Sequence, residues 1–207
     1  MFIQSLCRIR RHIFAVVLFF AMPLLASAAT AAPCMPTATP WLTLRITAGA
    51  MSVAADRTTI VRVHNDGCTE LHRPQFLRAP GDYRLSLPAT EIATLRTQVA
   101  SDVLRGFDER QMRAAIDAGK PAHGASQAAL KPQFAGQPKR LAVMDGDRYE
   151  LTWNDAGISR SASWVGLSDD AHAYPDIAAL QIFDRVSASL RSLATRSDAT
   201  KVVASAP

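Results

Sequence analysis

The residue types that most often carry chemistry are scarce here. Among 207 residues there are five histidines and three cysteines, and no two cysteines form a C-x-x-C pair. Thiol–disulfide oxidoreductases use that spacing to activate a thiol, so the chain lacks their reactive centre. There is no G-x-x-x-x-G-K-[ST] loop to cradle phosphate, no H-E-x-x-H helix to hold zinc and no G-x-S-x-G elbow. Ser159, Ser161, Ser163 and Ser168 thus have no turn that would expose a nucleophile. "DGDRYE" from Asp145 starts like a calcium loop, but its twelfth position is Ala156, where a bidentate glutamate is needed. No catalytic group, metal or cofactor is expected from motifs.

A long apolar run is also missing. "IFAVVLFFAMPLL", from Ile13 to Leu25, stops at 13 residues, short of the ~20 that span a bilayer. Behind Arg8, Arg10 and Arg11, and ahead of the small residues "ASAATAAP", it has the form of an export signal. Ala26-Ser27-Ala28 is the A-x-A site, so cleavage is expected after Ala28, with Ala31 as the second choice. Pro33 before Cys34 rules out a lipoprotein signal, which needs a small residue there. The expectation is an exported protein, periplasmic or secreted, with no stable membrane anchor after cleavage.

Removing the leader changes the charge. The whole chain carries 23 basic and 18 acidic residues; without the three leader arginines, 20 face 18, a net charge of +2. No basic run remains to suggest a nucleic-acid surface. Cys7 leaves with the leader, so Cys34 and Cys68 are the only two thiols left, and an oxidising compartment should pair them.

Patterning organises the rest. Residues 29–40 are Pro/Ala/Thr-rich and expected to be extended. In "WLTLRIT", Leu42, Leu44 and Ile46 alternate with polar residues, the period of a half-buried strand. "TTIVRVH" and "CTELHR" flank Asn65-Asp66-Gly67. A three-residue loop with Gly67 left-handed sets Val61 opposite Leu71 and Val63 opposite Thr69, which keeps one face apolar. Tyr83, Leu85 and Leu87 follow as a strand, and Pro88 starts a helix with Ile92, Leu95, Val99 and Val103 at helical spacing. Asp108 and Gln111 form a capping-box pattern, with Phe107 and Met112 placed as a hydrophobic staple. Gly119 and Pro121 should stop that helix before a surface loop at 121–140. A second hairpin has Tyr149, Leu151 and Trp153 on its first strand and turns at Asn154–Gly157. After Pro175, Ile177, Leu180, Phe183, Val186, Leu190 and Leu193 form one helical stripe.

The expected fold is α+β: an antiparallel sheet of hairpins with helices on one face. Domain boundaries are a leader at 1–28, an extended segment at 29–40, one domain over 41–196 and a flexible tail at 197–207. The two halves each run strand–strand–helix, and both hairpins carry Asn-Asp, so they invite comparison as a duplication. Taken together, "TTIVRVHNDGCTEL", "APGDYRLSLPATEIATL", "RYELTWNDAG" and "YPDIAALQIFDRVSASL" resemble small exported bacterial α+β domains. The resemblance implies a fold and an exported setting, and attaches no activity.

The densest polar cluster lies on the first hairpin. Arg62, His64, Cys68, Glu70 and His72 share the face opposite Val61 and Val63. Imidazole, thiolate and carboxylate could hold a metal, but pairing removes Cys68, and His64 and His72 stand well apart along the ladder. The expected face is solvated, with an Arg62–Glu70 cross-strand pair worth ~0.2–1 kcal/mol. His123 and His172 read as surface residues and Asp169-Asp170 as solvated. Trp41, Trp153 and Trp164 are core residues or, for Trp153 and Trp164, binding aromatics for a peptide or glycan. The leading expectation is a non-catalytic binding module of the cell envelope, with an envelope protein or glycan as partner. The competing expectations are a hydrolase or metal-dependent enzyme using His64, Glu70 and His72, and a structural accessory domain.

Overall fold

The computed structural model describes residues 34–49, 55–118 and 146–203, which belong to one compact unit. The Ala28 cleavage site, the helix stop at Gly119 and Pro121, and the 121–140 loop lie outside the described residues.

Among the described residues seven antiparallel strands form one sheet: β1 (Leu42–Thr47), β2 (Thr58–Val63), β3 (Cys68–Arg73), β4 (Gly81–Ser86), β5 (Arg148–Asp155), β6 (Ile158–Val165) and β7 (Thr200–Lys201). Their spatial order is β6-β5-β1-β2-β3-β4-β7, with every neighbouring pair antiparallel. The described helices are α1 (Ala89–Val99), α2 (Asp102–Arg105), α3 (Glu109–Ala118), α4 (Leu167–Ala173) and α5 (Ala178–Ala194). They pack on one face of the sheet, which is the expected α+β architecture.

Period-two alternation decides which face is covered. Leu42, Leu44, Val61, Val63, Leu71, Leu85, Tyr149, Leu151, Trp153 and Trp164 all point to one side and are buried. Against them lie Leu180, Phe183, Val186 and Leu190 of α5, each fully buried. The 3.6-residue stripe of that helix therefore meets the two-residue alternation of the central strands, and each periodicity buries the other. The first hairpin takes the expected register, with Val61↔Leu71, Arg62↔Glu70 and Val63↔Thr69. Gly67 at φ +84° is required by it: a Cβ there would lie 2.8 Å from the carbonyl oxygen of Leu87.

Several expectations change. The helix after Pro88 is broken at Ala100 and Ser101, which shifts the phase of the next turn. Val103 is 41% exposed, and Leu104 takes the buried position instead. Asp108 does cap α3, accepting the Gln111 amide at 2.9 Å, and Phe107 stacks edge-on to Trp164 and Phe183. Asp169 and Asp170, expected as solvated residues ahead of the last helix, lie in a helix of their own, α4. The tail expected to fray beyond Arg196 instead returns as β7, pairing Lys201 with Tyr83, and Arg196 binds Glu91 and Asp198.

The two Asn-Asp pairs are not equivalent. Asn65 and Asp66 lie in the first loop, whereas Asn154 and Asp155 lie within β5, ahead of a two-residue turn at Ala156-Gly157. The likeness of the halves thus stops at element order.

The phase shift generates a direct test. Leu104→Ala should destabilise the protein by ~2–5 kcal/mol, the range for a filled core position, whereas Val103→Ala should stay within ~0.5 kcal/mol. Denaturant unfolding of both variants checks it. Equal costs would mean that one unbroken helix carries Val103 inward.

Candidate functional site

The helix-free face of the sheet carries most of the polar residues of β1 to β5. Two rows cross it. One runs Thr43, Arg62, Glu70, Arg84 across β1 to β4; the other runs Glu150, Arg45, Ile60, His72, Asp82 across β5 to β4. Opposite charges are neighbours in both. Arg62 lies 3.9 Å from Glu70 and Arg45 lies 3.8 Å from Glu150, loose and exposed pairs of small energetic weight.

At one end a strap crosses this face. Cys34 is bonded to Cys68, with their Cα atoms 5.5 Å apart, within the usual disulfide range. The bond brings residues 34–40 over the start of β3. Thr37 donates from its amide and hydroxyl to Asp66 at 3.3 and 2.9 Å. The amide of Cys68 donates to the same carboxylate; with the Thr37 hydroxyl it holds Asp66 below the usual aspartate range despite some desolvation.

The strap also buries His64, which corrects the expectation of a solvated residue. His64 is 3% exposed. Its Nδ1 donates to the Ala38 carbonyl at 2.6 Å, and its Nε2 lies 3.4 Å from Glu70. The ring bridges the strap to β3, with both nitrogens engaged.

His72 has different partners. Its Nε2 is 2.9 Å from Asp56 and its Nδ1 is 2.6 Å from Asp82. Burial pulls its pKa down, but the hydrogen bonds and charges of Asp82 and Asp56 outweigh this and the net shift is upward. Asp56 moves the other way: partial burial raises it, while the bonds from His72 and the Thr58 amide lower it further. The two aspartates sit at opposite edges of the imidazole, so the three side chains cannot enclose one ion.

Among the described residues, no group of three His, Cys, Asp or Glu side chains is placed to hold a metal ion. His64, Glu70 and His72 share a face without converging: Glu70 serves His64 and Arg62, and His72 serves the two aspartates. Clefts among the described residues lie elsewhere. A groove of about 290 Å³ between α1 and α5 is lined by Glu91, Thr94, Gln98 and Ser189. Another of about 210 Å³ is lined by Ile46, Arg57, Phe76 and Arg191.

The aromatic expectation resolves toward packing. Trp153 and Trp164 are 2% and 1% exposed, on the helix-covered side, so neither ring can stack on a ligand in this fold. The Trp164 indole donates to Asp170 at 2.8 Å, so that aspartate is a structural partner where a solvated one was expected. His172 is exposed on α4, and His123 lies outside the described residues.

Compared with protein-family models, with curated proteins and with solved structures, the chain matches none. Its described helices include none long and apolar enough to cross a membrane.

Two outcomes are expected from this geometry. Cys34→Ser and Cys68→Ser should each cost ~2–4 kcal/mol, with the double variant no worse than either single one, because both remove the same bond. His64→Ala should cost ~1–3 kcal/mol by removing the buried ring that ties the strap to β3; Glu70→Ala should cost less. Denaturant titration of the oxidised proteins checks the order, and a fully additive double cysteine variant would contradict a shared bond.

The His72 bridge gives a pH signature. A raised folded-state pKa stabilises fully below the unfolded value near 6.5 and loses that contribution as pH climbs through the folded value. The lowered Asp56 contributes above about 3.8 and is lost on acidification. Stability from this pair should therefore peak between these limits and decline above pH ~6.5. His72→Gln should flatten the decline in a pH series of thermal midpoints; an unchanged slope would contradict the bridge.

Proposed function

We propose that the chain is exported through its N-terminal leader, is cut after Ala28, and acts as a non-catalytic binding module of the cell envelope. The partner is a protein that docks on the helix-free face of the sheet. The observation that carries this reading is the exposure of that face: the described helices cover only the other side, leaving strands β1 to β5 presenting Arg45, Arg62, Arg84, Glu70 and Glu150 to solvent. A mixed-charge surface suits a protein epitope of complementary pattern, where charge sets register and encounter rate. A glycan is less well served, because the aromatic platforms it would stack on are buried in the core.

The divergence of His64, Glu70 and His72 weighs against the enzyme reading, since shared chemistry needs those groups to meet at one atom. A structural accessory domain is the second reading, favoured by the way opposite charges on the face already neighbour one another.

One experiment separates these. Cross-linked envelope extract is captured with the wild-type protein, with Arg62→Glu/Arg84→Glu on the open face, and with Arg185→Glu on α5. The binding reading expects a protein captured by wild type and Arg185→Glu and reduced at least tenfold by the double reversal. Capture unaffected by the double reversal would reject the face, and absence of any partner would favour the accessory-domain reading. N-terminal sequencing of the exported protein should begin at Ala29; an intact Met1 in the membrane fraction would reject export and release.

A further inference from the structure

We propose that β6 is an association edge, and that it pairs antiparallel with β6 of a second copy of this chain about a two-fold axis at Ser161. The edge is distinct from the face proposed above and stands or falls separately.

The backbone sets which groups are available. β5 and β6 are joined by Ala156-Gly157, both at positive φ (51° and 86°), as a type I′ hairpin turn requires. The flanking residues Asp155 and Ile158 of such a turn exchange both hydrogen bonds, and bonded pairs then alternate along the ladder. With Asp155↔Ile158, Trp153↔Arg160, Leu151↔Ala162 and Tyr149↔Trp164 opposed, those β6 residues turn their amides and carbonyls toward β5. Ser159, Ser161, Ser163 and Val165 turn theirs outward. Among the described residues β6 is the last strand of the sheet on its side, and no backbone hydrogen bond from them reaches these outward groups.

Sheet edges are ordinarily blunted by shortness, proline, lysine, inward charge or a bulge. The opposite edge follows this rule, ending in β7, two residues long and closed by Lys201. β6 has one of these devices, the inward charge of Arg160, which lies on the helix-covered side opposite Trp153, and none of the others. It is eight residues long, contains no proline, lysine or acid, and pairs with β5 through eight consecutive residues without a bulge. Its only charge, Arg160, is occupied 3.3 Å from Asp155.

The side chains favour a second copy and one register. Continuing the sheet demands that opposed residues share a face, which puts the axis on a residue rather than between two. With Ser161 on the axis, Ser159 faces Ser163 of the second copy, Arg160 faces Ala162, and Ile158 faces Trp164. No like charges meet. Ile158, 58% exposed, comes beside the strand position of Trp164, whose own ring is already buried at 1% exposure. Moving the axis to Ala162 would set Ile158 against Gly166 and leave it bare. The Ser161 register forms about six intermolecular backbone hydrogen bonds, two for each bonded pair. It joins the two open faces into one continuous surface.

Sedimentation equilibrium of the purified oxidised chain, from ~1 μM to ~1 mM, tests this across the range of weak specific contacts. The expected result is a monomer–dimer equilibrium. Ser161→Pro removes the amide on the axis and should weaken association at least tenfold while leaving the thermal midpoint of the monomer near wild type, since that amide has no partner there. If Ser161→Pro fails to fold, Ser161→Lys gives a second arm. It sets two like charges together and should weaken the dimer strongly at low salt and less at high salt. A monomer at every concentration overturns the proposal, as does a dimer whose association neither variant changes.

Discussion

A seven-stranded sheet has two faces, and the described helices cover one. That asymmetry governs the rest of the molecule. On the covered side the strands can bury Leu42, Leu44, Val61, Leu71 and Leu151 completely, each such side chain contributing ~1.5–3 kcal/mol relative to exposure. On the other side the same strands must satisfy water, so the alternate positions carry threonine, arginine, glutamate and histidine. α5 is the element that makes this work: its buried stripe runs from Leu180 to Leu193 over the central strands, and β1 beneath it is flanked by its sequence neighbour β2 on one side and by β5, from far along the chain, on the other.

The strap is the exception to the open face. It is a short extended segment with no apolar period, and nothing in its own composition would hold it. Cys34 supplies the attachment, and once it is fixed, Thr37 meets Asp66 and Ala38 meets His64. A polar residue on the solvent side of a strand thereby becomes buried and fully engaged. The loop closed by the bond, 34 residues in sequence separation, includes β1 and β2, so the crosslink restrains the unfolded chain where the sheet centre must form.

Local signals in the sequence were legible, and long-range ones were not. The register of the first hairpin followed from keeping Val61, Val63 and Leu71 on one face, and the Asp108 cap followed from residue type and spacing. The disulfide followed from counting thiols. The central place of β1 did not: its pairing with β5 joins residues more than a hundred positions apart, such as Leu44 and Leu151, and periodicity carries no information about partners. β7 was missed because two residues are too few to show a period. The Val103/Leu104 exchange was missed because one break at Ala100 rephases the helix. For the candidate site, divergence of His64 and His72 could be read from their ladder positions. Their actual partners could not, because Ala38, Asp56 and Asp82 come from other segments and meet them only in the folded sheet.

Hydroxyl-radical footprinting tests most directly which face is covered, because tryptophan reacts fast whenever it is exposed. In the folded, oxidised protein Trp153 and Trp164 should remain unlabelled until denaturant unfolds the chain, while Ile158 and the open-face residues Ile60 and His72 are labelled in the native state. Rapid native-state oxidation of Trp153 and Trp164, with Ile60 and His72 protected, would contradict the account by placing the helices on the opposite face.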